Sequence, residues 1–227
     1  MQYIHLMGEN KVGKTTLSKA LCDYLNRNTR YHCTVMSFAD SVRHELISYY
    51  GIPVDLVFDK LIDKNTYIIN LGDHQYSTGM EDLWKEFGLL EPNQSFKTTK
   101  VSLRNLLINH ATHVRRRQDP EYWVKEFQKH VDYLTESTDI DIVITDDIRY
   151  SNELLSCDGV VAWPIFWLDN GSKQPNDVSQ DAANQLYLDN KYRCTVIKVP
   201  IPLSDEACDN IIVEQLLPTL NIRSKNG

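Results

Sequence analysis

One octapeptide near the start of the chain constrains the fold more than any other feature. Gly8-Glu9-Asn10-Lys11-Val12-Gly13-Lys14-Thr15 satisfies G-x-x-x-x-G-K-[ST] at every fixed position. The glycines permit a tight turn whose N–H groups point at a phosphate, and a helix that follows adds its positive end. Lys14 can reach β- and γ-phosphates, and the Thr15 hydroxyl can ligate Mg²⁺. The context fits: Gln2 to Met7 reads as a strand, and Thr15 to Leu25 carries Leu17, Ala20, Leu21, Tyr24 and Leu25 at helical spacing. Gly8, Asn10, Lys11, Val12, Gly13, Lys14, Thr15 and Thr16 are therefore the candidate nucleotide-holding residues. Lys11 can add charge near phosphates or simply face water.

The rest of the chain alternates in the same way. Cys33–Phe38, Asp141–Thr145, Gly159–Leu168 and Cys194–Val199 read as further strands. Asp40 or Ser41 is the expected cap of a helix carrying Val42, Leu46 and Ile47. Helices are expected near Glu81–Phe87, over Ser102–Val114, from Asp119-Pro120-Glu121 onward, over Asp177–Leu188 and over Ser204–Leu217. Residues 60–100 are the least readable stretch, with turn signals at Leu71-Gly72-Asp73 and Glu91-Pro92-Asn93 around the short helix near Glu81–Phe87. Strands alternating with amphipathic helices predict an α/β fold, a mostly parallel sheet of about five strands covered on both faces. With 227 residues and no linker or repeat, a single domain is expected.

Composition narrows the function classes. A net charge of -7 weighs against a general nucleic-acid binder. Cys22, Cys33, Cys157, Cys194 and Cys208 form no C-x-x-C pair, which points to a reducing, cytoplasmic setting rather than zinc or a disulfide framework. The longest apolar run, about Val160 to Leu168, is too short to span a bilayer. No signal peptide is expected from the N-terminal pattern.

A second constellation stands at Ile142-Val143-Ile144-Thr145-Asp146-Asp147-Ile148-Arg149, an apolar strand ending in two acids and an arginine. Ligands of open α/β sheets gather at the carboxyl ends of strands. An acid here can hold Mg²⁺ and Arg149 can meet a phosphate. On an unbroken helix, Arg104 and Arg115 share a face about 16 Å apart, too far to grip one phosphate together. Arg115-Arg116-Arg117 can meet phosphate or form a solvated basic helix end. Tyr122 and Trp123 can stack on a base, or Trp123 can pack inward with Phe127 and Val131. His110 and His113 have metal-pair spacing but no third ligand.

Four segments together resemble the bacteriophage-type deoxynucleoside monophosphate kinases: the loop at 8–16, Ser37-Phe38-Ala39-Asp40 with Arg43, Arg104-Asn105-Leu106-Leu107 through Asp119-Pro120-Glu121-Tyr122-Trp123-Val124, and Asp147-Ile148-Arg149-Tyr150-Ser151-Asn152-Glu153. The resemblance covers most of the chain outside about 60–100. It implies a P-loop kinase three-layer sandwich, ATP as donor, Mg²⁺ as cofactor and a small-molecule nucleotide as acceptor, acting in the (host) cytoplasm. It makes Lys14, Asp147 and Arg149 the catalytic candidates and Thr15 and Asp147 the metal candidates. Asp40, Arg43, Arg104, Arg115 and Trp123 become acceptor candidates, within a region at about 40–125. It also implies a short lid at about 169–185. There the sequence departs from the family: Leu168-Asp169-Asn170-Gly171 stands where a basic residue is expected, and Lys173 is the only Lys or Arg between Arg149 and Lys191. Two other readings stay open. One is a P-loop kinase acting on a hydroxymethylated base, 5-hydroxymethyluracil, in phage DNA. The other is a non-catalytic nucleotide-binding switch, against which the missing N-K-x-D motif argues. Oligomeric state stays open, a homodimer included.

Overall fold

The computed structural model describes residues 1–59, 61–156, 165–171 and 178–222. In chain order the elements begin with β1 (Gln2–Gly8), α1 (Lys14–Asn28), β2 (Cys33–Met36), α2 (Phe38–Tyr50), α3 (Val54–Phe58), β3 (Ile68–Asn70), α4 (Met80–Glu86) and β4 (Lys100–Ser102). A helical run follows, made of α5 (Leu103–Ile108), a π-helix (Asn109–Arg115) and α6 (Arg116–Gln118). Then come α7 (Tyr122–Ser137), β5 (Ile142–Thr145), α8 (Ser151–Ser156), β6 (Ile165–Asp169), α9 (Val178–Asn190), β7 (Cys194–Lys198), α10 (Asp205–Ile211), a π-helix (Ile212–Leu216) and α11 (Leu217–Leu220). The chain forms two compact units, Met1–Phe38 with Phe127–Gly227, and Ala39–Glu126. The sequence predicts one domain with an acceptor region at about 40–125, a stretch close to that of the second unit.

The first unit is α/β. Its sheet has five strands in the order β2-β5-β1-β6-β7, and every pairing is parallel. Alternation along the strands sends Ile4, Leu6, Ile142, Ile144, Phe166, Leu168 and Ile197 to one side, where they pack with Leu17, Leu21 and Leu25 of α1 and with Ile211, Ile212, Leu216 and Leu220 near the C-terminus. Each such buried aliphatic side chain contributes about 1.5–3 kcal/mol. Trp167 points the other way and stacks on Tyr187 of α9, centroids 4.3 Å apart. Helices thus cover both faces, which is compatible with a three-layer sandwich. His5 bonds Thr145 Oγ1 at 2.8 Å across the β1–β5 register, and burial, aided by Arg193, holds its pKa down to about 4, so it is neutral. The chain leaves this unit at Phe38 and returns at Phe127, and those two rings stack at 4.1 Å.

Two expectations for this unit change. The helix expected to start at Asp40 or Ser41 starts at Phe38. Its first N–H is met not by a local cap but by Asp147 Oδ1 at 2.9 Å, from a residue far along the chain. The strand expected over Gly159–Leu168 is described from Ile165. Residues 159–164, Cys157, and Lys173 with the rest of 172–177 in the expected lid lie outside the described residues.

The second unit has a two-stranded antiparallel sheet, β3 with β4, and an aromatic-rich core that includes Tyr50, Trp84, Phe96, Leu103, Leu106 and Val114. A chain of hydrogen bonds crosses it. Trp84 Nε1 donates to Tyr50 OH at 2.9 Å, and Tyr50 OH lies 3.1 Å from His110 Nδ1. Because Tyr50 accepts from Trp84, its own proton goes to His110 Nδ1, so the ring proton sits on Nε2 and is given to Glu45 at 2.6 Å. Arg115 Nε donates to the same Glu45 oxygen at 2.7 Å, and Tyr122 OH donates to the other. Burial pushes the Glu45 carboxyl up, but the hydrogen bonds from His110, Tyr122 and Arg115 outweigh it and leave the pKa lowered.

The π-helix explains why this network forms. His110 and Arg115 are five residues apart, about 140° around a regular α-helix at about 100° per residue. The i→i+5 repeat of a π-helix returns residues five apart to the same side, so both reach Glu45. We expect Glu45→Ala to destabilise this unit by about 3 kcal/mol, because it strands a half-buried guanidinium, a buried imidazole N–H and a phenol. Chemical denaturation read by fluorescence of Trp84 and Trp123, both in this unit, measures it; an unchanged midpoint would remove Glu45 from the account.

Candidate functional site

The loop after β1 is held in shape by its neighbours. Gly8 has φ +143°, and a Cβ there would stand 2.5 Å from the Leu168 carbonyl oxygen of the adjacent β6. Gly13 has φ +90°, and a Cβ would meet Leu203 at 2.8 Å. Both sites require glycine. Lys11 takes φ 61°, uncommon for a residue with a side chain, at the exposed tip of the turn. Val12 is buried in the core beneath the loop, so its side chain anchors rather than contacts a ligand. Gly13 caps α1 without any side-chain hydrogen bond, leaving the helix start open, with Thr15 and Thr16 exposed.

Two cations converge on this loop. Lys14 Nζ donates to Gly8 O at 2.9 Å and to Glu9 O. Arg149 Nη2 donates to Asn10 Oδ1 at 3.1 Å, and Nη1 lies 3.5 Å from the same Gly8 oxygen. Burial, and next the Arg149 guanidinium, lower the Lys14 pKa to about 7 against the opposing pull of Asp146, Asp147 and Glu9. Lys14 and Arg149 come from separate strand ends, β1 and β5, which the sheet places side by side. An anion between them would relieve their repulsion.

The two acids after β5 have different surroundings. Asp147 accepts from Ser37 Oγ with one oxygen and from Phe38 N with the other, so its carboxylate ties the end of β2 to the start of α2. Asp146 is buried and lies 3.4 Å from Ser18 Oγ, whose hydroxyl is also 3.1 Å from Thr15 O. Of the two, Asp146 has the larger effect on Lys14. The resemblance aligns Asp147 with the family acid; by contacts, Asp146 is the acid beside the loop helix.

Glu153 and Gln180 enter as positioning residues that sequence reasoning gave no role. Glu153, 3% exposed, accepts from the backbone N–H of Arg149 at 2.7 Å and of Tyr150 at 3.1 Å, which orients the Arg149 segment. Gln180, fully buried on α9, accepts from Asn10 N at 2.9 Å and lies 3.4 Å from Arg149 Nη1. A lone glutamine inside a helix has no motif to betray it.

In the second unit, Asp40 and Arg43 form an ion pair on α2, and the Arg43 guanidinium lies over the Phe58 ring, 5.7 Å from its centroid. Arg104 N donates to Lys64 O at 2.9 Å. Burial, then Arg43 and Arg104, lower the Lys64 pKa to about 8, with Asp40 opposing. Arg115 is not on this group. It points to Glu45 between the Tyr49 and Tyr122 rings, 4.7 and 4.9 Å from their centroids. Arg116 donates to Pro120 O at 3.3 Å and Arg117 to Phe87 O at 2.8 Å. Trp123 is 2% exposed, donates to Ala111 O at 3.0 Å and meets His110 and Tyr122 edge-on. To meet an acceptor, Arg115 and Trp123 would have to leave these contacts within their own unit.

Among the described residues no group of three or more His, Cys, Asp or Glu is placed to hold a metal ion, and no helix is long and apolar enough to cross a membrane. Thr15, exposed at the start of α1, and Asp146, beside Ser18 of the same helix, each carry an oxygen donor of the kind Mg²⁺ takes when phosphates and water supply its other ligands. No protein-family model matches the chain, and no curated protein is significantly similar to it.

Proposed function

We propose that this chain is a P-loop kinase that uses ATP and Mg²⁺ to phosphorylate a deoxynucleoside monophosphate, giving the diphosphate. The observation that carries the reading is the convergence of Lys14 and Arg149 on the Gly8 carbonyl, beside an uncapped helix start. A triphosphate tail has the charge and reach to replace those carbonyl contacts. No side-chain nucleophile is needed. An oxygen of the acceptor phosphate attacks the γ-phosphorus in line, the bond to the β–γ bridging oxygen breaks, and ADP leaves. Lys14 and Arg149 meet the charge that builds on the transferring group. Thr15 and Asp146 would hold Mg²⁺, which neutralises phosphate oxygens when bound. Asp40, Arg43 and Arg104 are the acceptor-side residues of this reading.

A base in DNA as acceptor would call on the Arg115–Arg117 cluster to meet the DNA backbone. All three arginines make contacts within their own unit, so no observation favours it. The test is incubation of the purified chain with Mg²⁺, γ-labelled ATP and each deoxynucleoside monophosphate, alongside DNA carrying 5-hydroxymethyluracil. Labelled diphosphate is the expected product. Label in DNA alone would move the acceptor, and bound ATP with no transfer to any acceptor would leave a nucleotide-binding switch.

A further inference from the structure

Gln180 lies inside α9 and is fully buried. Its Oε1 accepts from Asn10 N at 2.9 Å and lies 3.4 Å from Arg149 Nη1. Its Nε2 donates to Asn184 Oδ1, one helical turn on, at 3.0 Å. A backbone N–H and a guanidinium can only donate, so the atom that faces both is the amide oxygen, and Asn184 takes the nitrogen. Arg149 Nη2 in turn donates to Asn10 Oδ1 at 3.1 Å. Asn10, Arg149 and Gln180 thereby close a ring of contacts across three segments: the loop after β1, the turn after β5, and α9. A glutamate at position 180 would accept from the same two donors more strongly. It would also place a full negative charge in a buried position beside the loop on which Lys14 and Arg149 converge. Away from bulk water, that charge would repel a phosphate chain strongly. Glutamine supplies the hydrogen bonds without the charge.

We propose that Gln180 is a positioning residue that clasps Arg149 to the phosphate loop through Asn10, and that its neutrality is what leaves the loop open to a polyphosphate. Taking that polyphosphate to be the ATP of a transfer reaction rests on the kinase reading; the clasp and the charge argument do not. Gln180 fixes the Asn10 backbone, and the Asn10 side chain fixes the guanidinium. Arg149 is thus in place before nucleotide arrives, and little ordering is left to do when charge builds on the transferring group.

Two substitutions in the full chain separate the hydrogen bonds from the charge. Gln180→Met keeps the length of the side chain and removes the acceptor. Gln180→Glu keeps the acceptor and adds the charge, and Asn184 can turn its amide to donate to it. Calorimetry with Mg²⁺ and a non-hydrolysable ATP analogue, without acceptor, reads binding; steady-state transfer reads kcat and the ATP KM. Gln180→Met should lower kcat about ten- to a hundredfold and leave analogue affinity within about threefold of wild type. Gln180→Glu should weaken the analogue about tenfold or more. In an Arg149→Ala background, Gln180→Met should cost little further in kcat, because Gln180 acts through Arg149. A merely structural glutamine would give losses that add in that double variant. The Gln180→Met arm stands by itself if the buried carboxylate unfolds the chain. Additive losses in the double variant, or wild-type analogue affinity in a folded Gln180→Glu, overturn the proposal. Analogue binding weakened by Gln180→Glu, in a chain whose wild type phosphorylates no acceptor, would sink the kinase reading alone. Transfer by wild type with an unchanged kcat in Gln180→Met would sink the clasp alone.

Discussion

Lys14→Ala is expected to lower phosphoryl transfer by at least about 10²- to 10³-fold, the cost of removing one preorganised charge donor, while the protein stays folded. Stability adds a second check. The Lys14 pKa of about 7 lies below the ordinary lysine value, so between those two values the unfolded chain binds more protons than the folded one. Stability therefore rises with pH from about 7 upward through this group, and at lower pH its buried ammonium carries the full penalty. Lys14→Ala should not destabilise the free protein at neutral pH and should flatten its stability profile above pH 7. Thermal melts at several pH values, run beside the transfer assay, read both effects. Full turnover in the folded variant would remove the kinase reading; a melt lowered at neutral pH would mean that the Gly8 and Glu9 carbonyl contacts outweigh the burial of the charge.

The parts legible in the sequence were those whose signals are local. Short apolar runs gave β1, β5 and β7 close to their observed bounds, and the glycine spacing marked the loop because Gly8 and Gly13 sit where a Cβ would collide with Leu168 and Leu203. The second unit was harder to read for a physical reason. β3 and β4 are three residues each and pair across some thirty positions, too short for alternation to register. Asp119 does cap the next turn, bonding Glu121 N at 3.0 Å, but α7 begins at Tyr122, past Pro120. The inward turn of Arg115 was also invisible: a regular helix puts it on the face of Arg104, and only the π-helical segment swings it to Glu45. At the site, Lys14 and Arg149 follow from motif and strand end. Gln180 does not, because its part depends on a contact 170 residues from Asn10.

The two acids after β5 are expected to fail in different ways when neutralised. Asp146→Asn should cut transfer by about 10²-fold or more and raise the Mg²⁺ concentration needed, since Asp146 lies beside Ser18 and acts on Lys14 of the loop. Asp147→Asn should act on the fold. Its carboxylate accepts from Ser37 Oγ and from the first N–H of α2, and an amide can serve only one of these donors well, because its nitrogen is itself a donor. A loss of about 1–3 kcal/mol is expected. The resemblance points the other way, since it aligns Asp147 with the family acid. Mg²⁺ titrations of turnover together with melts of both variants separate the accounts. If Asp147→Asn abolishes the Mg²⁺ response at an unchanged melting temperature, Asp147 must leave Ser37 and Phe38 when nucleotide binds, and the alignment is the better guide. If Asp146→Asn does so, the acid that serves the loop is the one that directly follows the last residue of β5, and Asp147 holds the chain where it passes from β2 into α2.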